Sequence, residues 1–289
     1  MALTPEEMGK ILKSVRRGNV DSQINLAMTL ALGFLQKNET KMAIKLLEMA
    51  ANLGLSRAKT ALASIYQSGQ GVEIDIPKAI QYLEEAAEEN DEVALADLAT
   101  MYYEGVHVKH DINKAIELSR KAAERGHGMS QYNLGIIYME GEGVEQDWQK
   151  ALEFFKMASD QGIAEAQFNL AKAYEIGKGI PKDIKEALRL YKLSAKQGFP
   201  DSQGSLALLY VTGEGVDKDP VKAYKLFKKA ASTGNSNAQY NLGCMYKDGI
   251  GIPKDYSKAK KWFKRAADQG EEKAKEMLRT LKKLKAKRE

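Results

Sequence analysis

Cysteine is almost absent from this chain. Cys244 is the only one, so no intrachain disulfide can form and the fold must be held by packing, which suits a reducing compartment. Long apolar runs are missing as well. The best of them, Ile24 to Leu35, is interrupted by Asn25 and Thr29 and falls short of the roughly 20 residues that a bilayer-spanning helix needs. The opening Met-Ala-Leu-Thr-Pro-Glu-Glu has neither the basic start nor the apolar stretch of a secretory signal. We therefore expect a cytoplasmic protein without membrane insertion, with specialised secretion left open. Reaction motifs are equally scarce. Gly141-Glu142-Gly143 is followed by no Gly-Lys-Ser/Thr and stands where a helix ends, which excludes a phosphate loop. No nucleophile elbow or paired-carboxylate motif occurs. His107 and His110 sit in one turn beside Asp111, with no third imidazole or thiolate near them in sequence, so we expect no metal and no cofactor.

What is present is a period. Asp75, Asp111, Asp147, Asp183, Asp219 and Asp255 stand 36 residues apart, and the same step connects Leu26, Leu62, Leu98, Leu134, Leu170, Leu206, Leu242 and Leu278. A fixed period of this length marks a stacked repeat array, in which each unit buries its apolar face against its neighbours. An array has no central core to outgrow, so one continuous solenoid is expected over residues 1–289. Its parts are an N-terminal capping helix (1–19), seven repeats (20–55, 56–91, 92–127, 128–163, 164–199, 200–235 and 236–271) and a basic C-terminal capping helix (272–289). Thr4-Pro5-Glu6-Glu7 reads as a capping box at the start. The first repeat is degenerate, because Leu35 and Glu39 replace its second glycine and its aspartate.

One unit shows why the pattern folds. Ala238, Leu242, Gly243 and Tyr246 form a small-and-apolar stripe, predicting a first helix over about Asn237 to Lys247. Gly249 and Gly251 break it, since glycine tolerates the positive φ of a helix exit. Asp255 then caps a second helix, a role worth roughly 1 kcal/mol, and Gly270 ends it. In all seven repeats the residue after the leucine is Gly or Ala (Ala27, Ala63, Ala99, Gly135, Ala171, Ala207, Gly243), as close helix packing requires. The tyrosines at 66, 102, 138, 174, 210 and 246 read as packing residues with satisfied hydroxyls rather than as copies of an active-site group. His107 takes the place of the second turn glycine in its repeat, which predicts a slightly different turn.

The string from Ala238 to Gly270, AQYNLGCMYKDGIGIPKDYSKAKKWFKRAADQG, closely resembles the Sel1-like repeat, a relative of the tetratricopeptide repeat with a longer inter-helix turn. Six units from Ser56 to Glu271 match its signature of Leu-Gly, Tyr, Gly-x-Gly-Val/Ile, Asp, Lys-Ala and Ala-Ala-x-x-Gly. The resemblance implies an all-α, right-handed α/α superhelix whose first helices line a concave face. It also implies a non-enzymatic adaptor or scaffold for another protein or peptide, such as a bacterial regulatory, effector or immunity protein. A cysteine-rich branch of the family is associated with β-lactam binding or hydrolysis, and Cys244 alone cannot build its disulfide framework.

In the related repeat the concave face comes from first-helix positions around the leucine. Carried over, these are Tyr103 in the third repeat, Tyr132, Asn133, Ile136 and Met139 in the fourth, and Phe168, Asn169, Lys172 and Ile176 in the fifth. The seventh supplies Tyr240, Asn241, Cys244 and Lys247. Asparagines on such a face can bond the N–H and C=O of an extended peptide, with aromatic pockets beside them. Equally, the aromatics can fill space between neighbouring helices. The sixth repeat offers Gly204, Ser205 and Leu208, an open and less polar segment. Charge is uneven: from Glu73 to Glu104 ten acidic residues face one lysine, and from Ile250 to Glu289 fourteen basic residues face six acidic. Such polarity steers charged partners over a Debye length of roughly 8–10 Å. The basic end admits nucleic acid as an alternative, which the acidic zone and the placement of the aromatics disfavour. We expect a monomer.

Overall fold

The computed structural model describes residues 39–286, the last few by backbone alone. The expected capping helix at 1–19, its Thr4 box and the first helix of the first repeat lie outside the described residues, as do residues 287–289. Among the described residues the protein is all-α, with fourteen helices and no strand. In chain order they are α1 (Thr40–Asn52), α2 (Ser56–Ser68), α3 (Ile76–Glu88), α4 (Glu92–Glu104), α5 (Ile112–Glu124), α6 (Gly128–Glu140) and α7 (Trp148–Asp160). There follow α8 (Ala164–Ile176), α9 (Ile184–Lys196), α10 (Pro200–Thr212), α11 (Pro220–Ser232), α12 (Ser236–Asp248), α13 (Tyr256–Asp268) and α14 (Glu272–Ala286). Even-numbered helices up to α12 are the first helices of their repeats, and odd-numbered ones the second. No helix among the described residues is long and apolar enough to cross a membrane.

Each repeat is closed by the same short-range bonds. The repeated aspartates take the N-cap of the second helix, where the Asp255 carboxylate accepts from Lys258 N–H at 2.9 Å and Asp219 from Lys222 N–H at 2.9 Å. The aspartate's own N–H donates back to the repeated tyrosine's carbonyl, from Asp75 to Tyr66 at 3.0 Å through Asp255 to Tyr246 at 2.8 Å. One residue therefore satisfies an orphan helix donor and ties the inter-helix turn shut. Where Glu39 replaces the aspartate, no side-chain cap forms.

The first helices end on left-handed glycines such as Gly249 (φ 75°), and the turn takes a second left-handed residue such as Gly251 (φ 70°). His107 adopts the same conformation, φ 67°. The turn thus keeps its shape, against the expectation of a different one, and the histidine carries a left-handed backbone that costs a residue with a Cβ roughly 1–2 kcal/mol. Its neighbour bonds hold the turn: His110 Nδ1 lies 2.7 Å from the Tyr103 carbonyl oxygen.

The chain divides into two compact units, residues 1–134 and 135–289, each with its own core. In the first the largest fully buried side chains are leucines, among them Leu46, Leu47, Leu62, Leu83 and Leu95. In the second, one aromatic from each second helix is buried: Phe155, Tyr191, Phe227 and Phe263. Full burial of such a ring stabilises by roughly 1.5–3 kcal/mol. In the fourth and seventh repeats the glycine after the leucine makes room for it. A Cβ added at Gly135 would fall 2.5 Å from the Phe155 ring, and one at Gly243 would fall 2.7 Å from Phe263.

Candidate functional site

In the first unit, Tyr103 is exposed on α4, while on α6 Tyr132 is half-buried and Asn133 exposed. Asp97, one period before Asn133, belongs to the same column and was not among the expected site residues. Desolvation pushes its carboxyl above the usual range, and the charge of His127 opposes that.

In the second unit, Ile136 and Met139 are half-buried on α6. On α8, Phe168 is half-buried, with its ring 5.9 Å from Tyr191 and 5.4 Å from Phe199. Asn169 beside it is half-buried, Lys172 pairs with Glu175 at 2.9 Å, and Ile176 is 58% exposed. On α12 the Tyr240 ring lies 5.7 Å from Phe263. Burial, aided by its hydrogen bond to Cys244, pushes the Tyr240 phenol up to about 12, and burial raises the Cys244 thiol as well. Asn241 donates to the Asn237 carbonyl at 2.9 Å, and Lys247 pairs with Asp248 at 3.3 Å. Phe168 and Tyr240 therefore pack against the second helix of their own repeat and are half-buried.

Between α8 and α12 runs α10. Its Gly204 meets nothing within 4 Å of where a Cβ would stand, and Leu208 is 45% exposed. Tyr191 links α9 to its neighbours: its hydroxyl donates to Glu175 Oε2 at 2.7 Å and is also hydrogen-bonded to Ser205. Burial first, and then the Glu175 carboxylate, hold that phenol far above its ordinary range. The first helices of this unit thus carry exposed Ile176 and Leu208, half-buried Asn169 and Asn241, and open space at Gly204.

Two further columns escaped the sequence reading. The first is glutamine. Gln167, Gln203 and Gln239 are buried on α8, α10 and α12, and each Nε2 donates to a carbonyl eight residues earlier, at Ser159, Ala195 and Ala231. Their Oε1 atoms accept from the end of the second helix of the same repeat, Gln197 to Gln167 at 3.0 Å and Gln269 to Gln239 at 2.9 Å. In the second repeat the pair is Lys59 and Glu89, at 2.9 Å. In the sixth, Thr233 stands where the glutamine donor belongs and turns to the Ala230 carbonyl, which leaves Gln203 Oε1 buried without a partner. The second column is lysine over tyrosine: Lys78 and Lys114 donate to the Tyr66 and Tyr102 hydroxyls at 2.7 and 2.6 Å. In the second unit Lys150, Lys222 and Lys258 lie over the rings of Tyr138, Tyr210 and Tyr246 and pair with their cap aspartates. Repetition at 36 residues was the available signal for both columns. Among the described residues no group of three or more His, Cys, Asp or Glu is placed to hold a metal ion.

Helix-turn-helix units repeated in this way define an all-α repeat protein. The Sel1 repeat model matches residues 20–55, 56–91, 93–127, 128–163, 164–199, 200–235 and 236–271, and the chain belongs to the Sel1 repeat family. It is similar to a protective antigen present in uropathogenic Escherichia coli strains that displays an SLR fold, at 29% identity and TM-score 0.79, over 92% of this chain. The chain spans 58% of the length of that protein. It is also similar to a Sel1 repeat protein from Oxalobacter formigenes, at 29% identity and TM-score 0.74, covering 84% of this chain and 99% of the other. No curated protein matches the sequence.

Proposed function

We propose that this protein is a non-enzymatic adaptor that holds an extended segment of a partner protein against α8, α10 and α12. Protein–protein interaction is the general role of Sel1 repeats. The observation that carries the finer reading is that these three helices together leave Ile176 and Leu208 exposed, open space at Gly204, and half-buried amides at Asn169 and Asn241. Apolar side chains of a partner would enter the space, and the amides would meet its backbone, the arrangement that extended-peptide grooves use. The half-buried rings of Phe168 and Tyr240 form its walls.

The test is capture of a partner from source-cell lysate by the wild type and by an Ile176→Ser, Leu208→Ser, Asn241→Ala variant. These side chains stand at the surface, so the variant should keep its helical circular dichroism. The reading expects one protein to be lost with the variant, and cross-links from that protein to α10. Retention of the same protein at full yield would move the binding surface elsewhere. Turnover of nitrocefin by the purified protein would overturn the non-enzymatic reading.

A further inference from the structure

The side of α11 and α13 that faces away from the core carries a charge pattern the fold does not require. These helices bury Ala223, Phe227, Ala230 and Ala231, and Ala259, Phe263 and Ala266. Outward stand Lys225, Lys228 and Lys229 on the one and Lys260, Lys261 and Lys264 on the other, all exposed. Arg265 follows, one period after Lys229, stacked on Trp262 at 4.7 Å. Lys225 and Lys261 share a column, as do Lys228 and Lys264. Their neighbours Lys222 and Lys258 are paired at 3.0 Å with Asp219 and Asp255, whereas none of these six lysines has an ion-pair partner among the described residues. The second repeat fills the same positions with Gln81, Glu84 and Glu85, the last of them paired with Lys59 at 3.2 Å, so the repeat forms without lysine there. Like charges three and four residues apart, such as Lys225 with Lys228 and Lys229, destabilise a helix by roughly 0.2–0.5 kcal/mol a pair. A run of acidic groups laid across the face removes that repulsion.

From this arrangement we infer a second binding surface, on the outer side of α11 and α13, for an acidic polypeptide segment. It is separate from the face of α8, α10 and α12 and does not rest on that reading. The chemistry favours polypeptide over nucleic acid. Lysine dominates where phosphate recognition draws on arginine forks. Nor is a free ring available for base stacking, since Phe227 and Phe263 are buried, Trp262 lies under Arg265, and the Tyr224 hydroxyl bonds that of Tyr246 at 2.9 Å. A membrane surface is disfavoured because the exposed apolar residues of these helices, Val221 and Tyr256, sit at their starts and not among the lysines.

The probe is fluorescein-labelled poly-L-glutamate, read by anisotropy against salt. Three proteins are compared: the wild type, a face variant (Lys225→Glu, Lys228→Glu, Lys261→Glu, Lys264→Glu) and a control with the same change in net charge (Lys109→Glu, Lys178→Glu, Lys218→Glu, Lys254→Glu). Circular dichroism verifies that both variants remain helical. The inference expects wild-type binding that weakens with salt, loss of at least about tenfold in the face variant, and a change within about twofold in the control. Equal losses in the two variants, no wild-type binding, or tighter wild-type binding to duplex DNA or phosphatidylglycerol vesicles of matched charge would each overturn it. The Ile176→Ser, Leu208→Ser, Asn241→Ala variant should bind poly-L-glutamate as the wild type does, which separates this surface from the first.

Discussion

The sixth and seventh repeats share a register, a cap aspartate and a buried phenylalanine, yet they are finished differently. In the seventh, Tyr240 covers Phe263, Gly243 lets the ring in, and Gln269 satisfies Gln239. In the sixth, Gly204 leaves open space, Leu208 stands exposed, and Thr233 leaves Gln203 Oε1 without a donor although the side chain is only 6% exposed. An unmet buried acceptor costs roughly 1–3 kcal/mol, and glycine inside a helix costs roughly 1 kcal/mol against alanine. By these two contributions the sixth repeat is the less stabilised, and Gly204 also leaves the open space at which a partner is proposed to bind. An intact register thus tolerates unfilled space and an unmet acceptor within one repeat.

Substitutions can break that contrast or sharpen it. The largest effect is expected from Gly243→Ala, whose methyl would meet the Phe263 ring at 2.7 Å; overpacking of this kind costs about 1–3 kcal/mol, read as a lower urea midpoint. Gln269→Ala would give the seventh repeat the defect of the sixth by orphaning Gln239 Oε1, for a loss of about 1–2 kcal/mol in the same assay. The reverse exchange, Thr233→Gln, should raise unfolding free energy by about 1 kcal/mol, and a drop would show that Gln203 Oε1 is met by solvent. Gly204→Ala should gain slightly less, about 0.8 kcal/mol, while weakening capture of a partner that uses the space.

The smallest effect is a titration. The Tyr240 phenol is raised from 10.0 to about 12, so the folded state holds the proton that the unfolded state gives up. Its contribution to stability is complete below about 10 and is lost as pH rises from there towards about 12. Phenolate absorbance of Tyr240→Phe should lack one of the late-ionising groups seen in the wild type. No change in that late phase would mean that Tyr240 titrates as a solvated phenol.

The elements were legible because each depends on neighbours a few residues away. A first helix expected over Asn237 to Lys247 is observed over Ser236–Asp248, and the cap at Asp255 follows from its spacing to Lys258. The candidate face was legible only as a set of positions. Tyr240 and Phe168 fall where the pattern places them, but how much of each ring shows depends on Phe263, Tyr191 and Phe199, none of which is local to it. The glutamine pairs were hidden for the same reason, since Gln239 and Gln269 stand 30 residues apart. His107 takes the left-handed backbone of the glycine found there in other repeats, which residue type alone did not suggest, and the bonds that close its turn are made by its neighbours.

By itself the sequence determined the period, the helix ends, the glycine exits and the family, since caps and positive-φ turns are decided by hydrogen bonds and sterics within one turn of chain. Tertiary structure decided which rings are half-buried, which apolar groups remain exposed, that Gln203 Oε1 lacks a donor among the described residues, and that Lys225, Lys228, Lys229, Lys260, Lys261 and Lys264 stand exposed while Lys222 and Lys258 are paired. Those outcomes depend on what a repeat meets from its neighbours, and burial and pairing are properties of that contact rather than of any residue alone.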